Sequence, residues 1–304
     1  MYFEIAGITV APWLLLAWGL LVGLVFSTVG AAGGILASVG MISVFGLQDA
    51  NLVKPMAQAM TLVTPLVAVP LYMRQCRVVY RLALLLGAGG VLGALLGSSL
   101  SHRLLADMGV FRPVFAVLVF FIAAQLLWQI FRTRADTAEL TRAMRAAESF
   151  EYHVKEGGDL CQQGVRCIVS SFRRIVFAFG NERFSFNPLL PFFTGLGIAV
   201  LSSALGVGGG FLLVPFMSMV MRLPMYVIAG TSALAIAIHS ITSIANYMRL
   251  GITLDLPMLA FLLGGVVAGS ALGPLLSKHV PENGLRGLLA AILVLIGLRY
   301  AGVF

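Results

Sequence analysis

Charged residues are scarce in this sequence. Only 11% of its 304 residues are Asp, Glu, Lys or Arg, and the mean hydropathy is +0.99. An average soluble domain has about 25% charged residues, so the chain lacks the charge needed to cover a water-soluble particle. Its 34 glycines lie inside apolar runs rather than at every third position, which excludes collagen and low-complexity disorder. The composition indicates an all-α polytopic membrane protein whose main partner is the lipid bilayer.

Cysteine is scarce as well. The three cysteines, Cys76, Cys161 and Cys167, form neither a paired framework nor a C-x-x-C motif. We therefore expect no disulfide bond and no thiolate metal site. The net charge of +8 would suggest nucleic acid in a soluble chain. In a membrane chain it fits loops that face an anionic cytoplasmic leaflet, so we expect no nucleic-acid partner.

The motifs of enzymes are missing. The chain has no H-E-x-x-H, no G-x-S-x-G and no P-loop, and its four histidines lie in separate segments without ligand spacing. None of the twelve acids lies well inside an apolar stretch, whereas a pump with a carboxylate proton relay would keep one there. We expect neither catalysis nor a metal or other cofactor, and an anion pathway rather than a cation pathway.

Ten apolar stretches remain, five on each side of a polar central segment. This segment, residues 132–187, holds 16 of the 32 charged side chains. The apolar stretches are 12–29, 35–46, 52–73, 79–100, 111–131, 189–205, 211–221, 226–248, 256–276 and 284–302. A spanning helix needs about 20 apolar residues, so 35–46 and 211–221 are too short to cross alone. We predict eight crossings and two half-length helices, in halves 1–131 and 188–304.

Basic residues set the expected orientation. The central segment holds nine Lys or Arg residues against seven acids, and Arg74, Arg77 and Arg81 share one short loop. Both regions are therefore placed in the cytoplasm. The N-terminal apolar stretch lacks a basic leader and is taken as a retained helix. The apolar residues at 165, 168, 169, 172, 175, 176 and 179 follow helical spacing. They predict a basic amphipathic helix that lies on the membrane surface or packs on the protein's own helices.

The two halves repeat one another. A shift of 176 residues superposes Ser27 on Ser203, Gly30 on Gly206, and Gly33-Gly34 on Gly209-Gly210. A shift of 175 residues places Tyr72-Met73-Arg74 on Tyr247-Met248-Arg249. The pattern predicts an internal duplication, which is characteristic of secondary transporters with a site between the repeats. Whether the repeats are parallel or inverted depends on whether the half-length helices cross.

Glycine clusters interrupt one helix in each half. Gly206, Gly208, Gly209 and Gly210 cannot easily sustain a helix, and Gly30, Gly33 and Gly34 form a weaker version. Broken backbone at membrane depth is tolerated only where it is buried in protein or lines a cavity. The N–H groups at the start of the resuming helix would form an anion site. The alternative is that the glycines only permit tight helix crossings.

Polar side chains accompany these interruptions. The candidate substrate-binding side chains are Gln58, Thr61, Ser202, Ser203, Thr231, Ser232, His239, Ser243 and Asn246, and Arg74 and Arg249 are candidate pathway charges. Together they offer donors suited to an oxyanion. For any single serine or threonine, a bond to its own helix is the better explanation. A hydrogen bond between helices would likewise explain His239, and an anchoring role in topology would explain the two arginines.

Two stretches resemble the TauE/SafE sulfite exporter family of bacterial inner-membrane permeases. They are Gly206–Pro215, which reads GVGGGFLLVP, and Ala229–Ala233, which reads AGTSA. The resemblance covers about 11–131 and 189–304. It implies a duplicated carrier that exports sulfite, organosulfonates or related small anions, bound by Gly208, Gly209, Gly210, Thr231 and Ser232. The first half departs from the pattern, because Lys54 to Ala57 replace Ala229 to Ser232.

The function expected is therefore transport of a small sulfur-containing anion, such as sulfite, sulfoacetate or sulfolactate, outward through a midplane site. A permease for another small anion and a membrane scaffold acting through the central segment remain alternatives. The anion, its direction, the coupling ion and any homo-oligomer are not readable from the sequence.

Overall fold

A computed structural model describes residues 1–29, 33–132, 140–155, 161, 163–171, 174–276 and 282–300. Within them the helices are α1 (Pro12–Val29), α2 (Gly33–Val39), α3 (Ala50–Arg74), α4 (Tyr80–Leu104), α5 (Met108–Arg132), α6 (Leu140–Lys155), α7 (Leu189–Leu205), α8 (Gly210–Pro215), α9 (Met225–Arg249), α10 (Leu256–Leu276) and α11 (Glu282–Tyr300). A π-helical turn extends α2 over Gly40–Val44 and α8 over Phe216–Val220. The strands are β1 (Tyr2–Phe3), β2 (Ile8–Thr9), β3 (Arg166–Ser170), β4 (Ile175–Phe179) and β5 (Glu182–Phe186).

Every apolar stretch found in the sequence lies largely in a helix, so the chain is a helical, multi-pass membrane protein. By length and composition, the described helices that can cross a membrane are Ala50–Arg74, Tyr80–Leu104, Met108–Gln125 and Met225–Arg249. The shorter apolar helices are Pro12–Ser27, Gly33–Val44, Leu189–Leu205, Gly210–Val220 and Leu256–Leu272. The eight crossings expected from the sequence stay a prediction.

The short helix α2 folds back along α1. The indole nitrogen of Trp18 donates to the Leu36 carbonyl at 3.2 Å, and the Trp18 and Phe45 rings meet edge to face at 6.3 Å. Nearer the interruption, Gly33 lies against the Phe26 ring. Because later residues of α2 contact earlier residues of α1, the two helices are antiparallel, and the chain returns to the end from which α1 starts.

Glycines let two pairs of helices pack with their backbones in contact. On α4, a Cβ at Gly89, Gly93 or Gly97 would overlap the α7 carbonyls of Phe192, Leu196 or Val200 respectively. Because the residue numbers increase in the same direction along both helices, α4 and α7 run parallel. The helices α1 and α10 pack in the same way through Gly19, Gly23, Gly265 and Gly269. In a lipid bilayer the hydrophobic effect does not drive helices together, so close packing at these small residues holds the pairs instead.

The helices α3 and α9 pack together as an antiparallel pair between these two glycine-packed pairs. A Cβ on Gly230, near the start of α9, would lie 3.1 Å from the Tyr72 Cβ, near the end of α3. The helices α5 and α11 contact each other. The long helices α1, α3, α4 and α5 of the first half thus each pair with a helix of the second half, so the core of the protein is shared between the halves.

The predicted amphipathic helix at 165–179 is wrong, because this region forms strands. The order is β3-β4-β5 in an antiparallel sheet, and β4 buries every second residue, Ile175, Phe177 and Phe179. Gly180 and Asn181 turn the chain with φ of +53° and +64°. Ile175 and Phe179, which matched the helical spacing, lie four residues apart and therefore also share one face of a strand. Phe177, which the helical spacing left out, completes that buried face. A helix with basic residues does occur earlier, at α6.

The central segment docks on the loop between α3 and α4. The Val165 N–H donates to the Cys76 carbonyl at 2.7 Å, and the Arg77 guanidinium lies 4.4 Å from the centre of the Tyr226 ring and 5.3 Å from that of Phe150. Partial burial lowers the pKa of Arg77, against the opposing effect of the Tyr226 and Tyr72 phenols. The two basic regions assigned to one side of the membrane therefore lie at one end of the molecule.

The expectation of no disulfide is also wrong. Cys76 and Cys161 form a disulfide with their Cα atoms 5.2 Å apart, across a sequence separation of 85 residues, and Cys167 is free and exposed. The pairing follows from docking of the central segment on the α3–α4 loop. No local spacing could signal it.

We expect Gly195→Ala to lower the unfolding temperature of the detergent-solubilised protein by roughly 5 °C, because the new Cβ would overlap the Leu86 carbonyl of α4. Gly197, two residues along the same helix, has nothing within 4 Å of a notional Cβ. The matched variant Gly197→Ala should leave the unfolding temperature unchanged. Equal shifts in the two variants would contradict the α4–α7 packing.

Maleimide labelling followed by mass spectrometry checks the disulfide. Protein purified without reductant and then denatured should take one label, on Cys167, and three labels after reduction. Cys161→Ser should expose Cys76 and give two labels without reduction. Three labels on the unreduced wild type would show that the bond does not form.

Candidate functional site

The second glycine cluster interrupts a helix, as the sequence predicts. The helix α7 ends at Leu205, Gly206 and Gly208 adopt left-handed φ values of +73° and +69°, and α8 begins at Gly210. These two positions require glycine because other residues are strained there. All five residues from Gly206 to Gly210 are buried.

The interruption is held between α3 and α9. A Cβ on Gly206 would lie 2.6 Å from the Lys54 Cα, and one on Gly208 would lie 2.9 Å from the Thr61 hydroxyl. A Cβ on Gly209 would lie 2.5 Å from His239 Nε2. The glycines therefore bring the broken backbone against polar atoms from both halves of the chain.

The first glycine cluster meets the second. Gly33 and Gly34 begin α2 and are buried, and a Cβ on Gly34 would overlap the Val207 carbonyl. The same Cβ would lie 2.9 Å from Thr61 Cγ2. Gly30 lies outside the described residues. The two interruptions are thus neighbours, with Thr61 touching both.

Buried polar atoms without hydrogen-bond partners surround this junction. Within the described part of the chain, both ring nitrogens of His239, the Ser203 and Ser243 hydroxyls and Gln58 Oε1 are buried and unpartnered. The N–H groups of Gly208, Gly209 and Gly210 also make no hydrogen bond to a described residue. The hydrogen bond between helices that would explain His239 structurally is therefore not formed. Buried polar groups in this condition are rare and point to a ligand or water.

Other predicted residues hold the junction together. Gln58 Nε2 donates to the Ser202 carbonyl at 3.1 Å, and the Thr61 hydroxyl donates to the Gln58 carbonyl at 2.9 Å. The Ser202 hydroxyl donates to the Ala199 carbonyl of its own helix at 3.5 Å. The buried Tyr247 hydroxyl, which was not among the predicted site residues, donates to the Ser203 carbonyl at 2.9 Å. Gln58 and Tyr247 thus tie the end of α7 to α3 and α9.

Three predicted residues have other partners. The Thr231 hydroxyl accepts a hydrogen bond from the Val79 N–H at 3.1 Å, and the Ser232 hydroxyl donates to the Ala229 carbonyl at 3.4 Å. Both lie about two helical turns from His239. Asn246 Nδ2 donates to the hydroxyls of Ser98 and Ser99, at 2.7 and 2.9 Å. Thr231 and Asn246 therefore link α9 to the α3–α4 region.

Charged residues lie away from the junction, with one exception. Arg74 and Arg249 end α3 and α9 and are exposed. Because these helices are antiparallel, the two arginines lie at opposite ends of the pair. The exception is Lys54, which is fully buried.

Lys54 was not among the predicted site residues. Its Nζ donates to the Leu105 carbonyl at 2.7 Å and to Asn51 Oδ1 at 3.2 Å, and it lies 5.1 Å from the centre of the Phe111 ring. A lysine inside an apolar helix was a visible signal. Ser38 and Ser240 were also missed, and both have buried, unpartnered hydroxyls.

The acids near the membrane ends cap helices. Asp49 accepts a hydrogen bond from the Asn51 N–H at 2.8 Å, and the buried Asp255 accepts bonds from Ala6 and Met258, both at 3.1 Å. Among the described residues no group of three or more His, Cys, Asp or Glu is placed to hold a metal ion. The junction therefore presents neutral donors and a helix start, without carboxylates in the contacts described above. This arrangement suits an anion.

A family model described as sulfite exporter TauE/SafE matches residues 15–300, nearly the whole chain. This chain belongs to the TauE/SafE family. The resemblance in the glycine-rich stretch is thereby confirmed, and the match also includes the central segment, which the resemblance had left out. Sulfite export is a transport activity, in agreement with the absence of enzyme motifs. No curated protein and no solved structure gave a significant match.

We expect Gly208→Ala to destabilise this TauE/SafE protein by about 2 kcal/mol, because it combines a left-handed backbone with a 2.9 Å approach to the Thr61 hydroxyl. Gly251 also has a positive φ, of +92°, but open space around it. Gly251→Ala therefore measures the backbone effect alone and should be milder in chemical denaturation. Equal losses would show that Thr61 does not press on the interruption.

Proposed function

We propose that this protein carries small sulfur oxyanions, such as sulfite, sulfoacetate or sulfolactate, out of the cell across the bacterial inner membrane. The substrate site is the junction of the two interrupted helices. Its ligands are the N–H groups of Gly208, Gly209 and Gly210 and the side chains of His239 and Ser243.

The observation that carries this proposal is the set of buried polar atoms without partners at the junction. An unpartnered buried donor loses about 1–3 kcal/mol of hydrogen bonding, so several in one place are costly unless a ligand uses them. An oxyanion accepts several hydrogen bonds at once through its oxygens. His239, with both nitrogens free of partners, can donate one of them in its neutral form.

Electrostatics support an anion over a cation. No acid contacts the junction among the described residues, since Asp49 and Asp255 are engaged at helix starts. The backbone of the buried Lys54 lies against Gly206, so its side chain adds positive potential near the junction. A cation would meet no carboxylate to replace its hydration shell.

The arrangement of the halves supports a carrier that opens alternately to each side. The order long helix, short helix, long helix recurs as α1-α2-α3 and α7-α8-α9. The helix pairs match as well. The helix α1 packs on α10, and α7, the counterpart of α1, packs on α4, the counterpart of α10. Since α3 and α9 are antiparallel, we infer an inverted duplication with the junction on its axis, as in other secondary transporters.

Orientation supports export. The α3–α4 loop and the central segment lie at one end, which we place in the cytoplasm because it collects most of the basic residues. The cytosol keeps thiols reduced, so we expect Cys76 and Cys161 to be a reduced pair in the cell that closes to the disulfide on oxidation. Arg74 and Arg81 are exposed at this end, where they attract anions. Both termini of the described chain then lie on the opposite side.

Sulfite flux in proteoliposomes tests the function. Gly209→Ala places a methyl group against His239, and His239→Ala removes the imidazole, so each should lower the initial rate of sulfite transport at least about tenfold. Gly197→Ala is the matched control, because its Cβ meets open space on the exposed side of α7. It should transport sulfite at the wild-type rate.

The same flux assay with other solutes tests which class of substrate the protein carries. Sulfoacetate and taurine differ in net charge but share the sulfonate group, and a cation such as Ni²⁺ is the negative control. Wild-type rates in Gly209→Ala and His239→Ala would overturn the site. An absence of flux for every sulfur oxyanion in correctly folded wild type would overturn the proposed function.

A further inference from the structure

A cavity lies away from the junction, at the end of the molecule opposite the central segment. It has a volume of about 500 Å³ and lies between the π turn after α2, the loop before α3, and the ends of α5 and α11. Its polar lining comes from Ser43, Gln48, Arg112, Arg299 and Tyr300. None of the glycines of either interruption lines it, so it is a separate site.

Two guanidinium groups line this cavity, and no carboxylate of a described residue does. Neither Arg112 nor Arg299 forms an ion pair with any acid in the described parts of the chain. Arg112 donates from Nη2 to Gln48 Oε1 at 3.3 Å, and its buried Nε has no hydrogen-bond partner there. Arg112 is half-buried and Arg299 is exposed, so both guanidinium groups are accessible to a ligand that enters the cavity.

The remaining polar lining includes two hydroxyl groups, which can donate hydrogen bonds to the oxygens of an anion. The hydroxyls of Ser43 and Tyr300 share a hydrogen bond, which fixes the phenol of α11 to the turn after α2. The rings of Phe115 and Tyr300 are 6.0 Å apart between centres and back this wall. Arginine forks bind phosphate and related tetrahedral groups through two parallel hydrogen bonds.

We propose that this cavity binds a phosphate- or sulfonate-type oxyanion between Arg112 and Arg299. The group belongs to an anionic lipid head group or to a free small anion, since both present the same charged oxygens. The volume is within the range of small-molecule sites. The cavity joins α2 of the first half to α11 of the second, so an occupant would hold the two halves together at this end.

The proposal is tested on the full-length protein, delipidated in a neutral detergent. Inorganic phosphate and methanesulfonate are titrated by calorimetry, and retention of phosphatidylglycerol is measured by native mass spectrometry. Arg112→Gln and Arg299→Gln should each weaken at least one of these ligands about tenfold or more. Arg112→Lys keeps the charge without the fork and should weaken it less than Arg112→Gln.

Arg103→Gln is the matched control, since Arg103 is an exposed arginine at the same end that does not line the cavity. It should bind all three probes as the wild type does. Binding of the free anions identifies a soluble ligand, and retention of phosphatidylglycerol alone identifies a lipid site. If the wild type binds none of the probes, or if Arg112→Gln and Arg299→Gln bind them as Arg103→Gln does, the proposal is overturned. Unchanged elution volume and unfolding temperature show that each variant is folded.

Discussion

The backbone hydrogen bonds lost at Gly206–Gly210 are the constraint around which the rest of the structure is arranged. Inside a bilayer, a peptide group that leaves its helix finds no water, so the protein itself must enclose the break. Here the enclosure comes from α3 on one side and α9 on the other, and the first interruption covers the Val207 carbonyl. The glycine-lined contacts of α4 with α7 and of α1 with α10 keep the broken helices in place.

The same constraint explains why polar side chains collect where charges do not. A neutral imidazole, hydroxyl or amide can remain in the interior with an incomplete set of partners at moderate cost, whereas an unpaired carboxylate could not. Lys54, which is buried near the junction, is compensated by backbone oxygens and by the Phe111 ring rather than by an acid. The interior around the junction therefore offers hydrogen-bond donors to an anion, and the described residues there include no carboxylate that would repel it.

The sequence predicted those features that depend on residue type and local spacing. The helices followed from long apolar runs, and the interruption at Gly206–Gly210 followed from consecutive glycines, whose effect on a helix is local. The strands β3 and β4 were missed because an apolar spacing of four residues, as between Ile175 and Phe179, fits one face of a helix and also one face of a strand. The Cys76–Cys161 bond, the partners of Thr231 and the neighbours of Lys54 depend on docking between distant segments. No pattern within one segment contains that information.

The bond between Cys76 and Cys161 also turns part of the chain into a closed ring, which contains α4, α5 and α6. A protease that cuts once inside this ring opens it without releasing either piece. The nicked molecule keeps its full mass until a thiol reagent is added, and only then separates into two fragments. The helices that carry Ser98 and Phe111 are thereby fastened to the rest of the protein at more than one point, so damage to a surface loop there need not dismantle the membrane core.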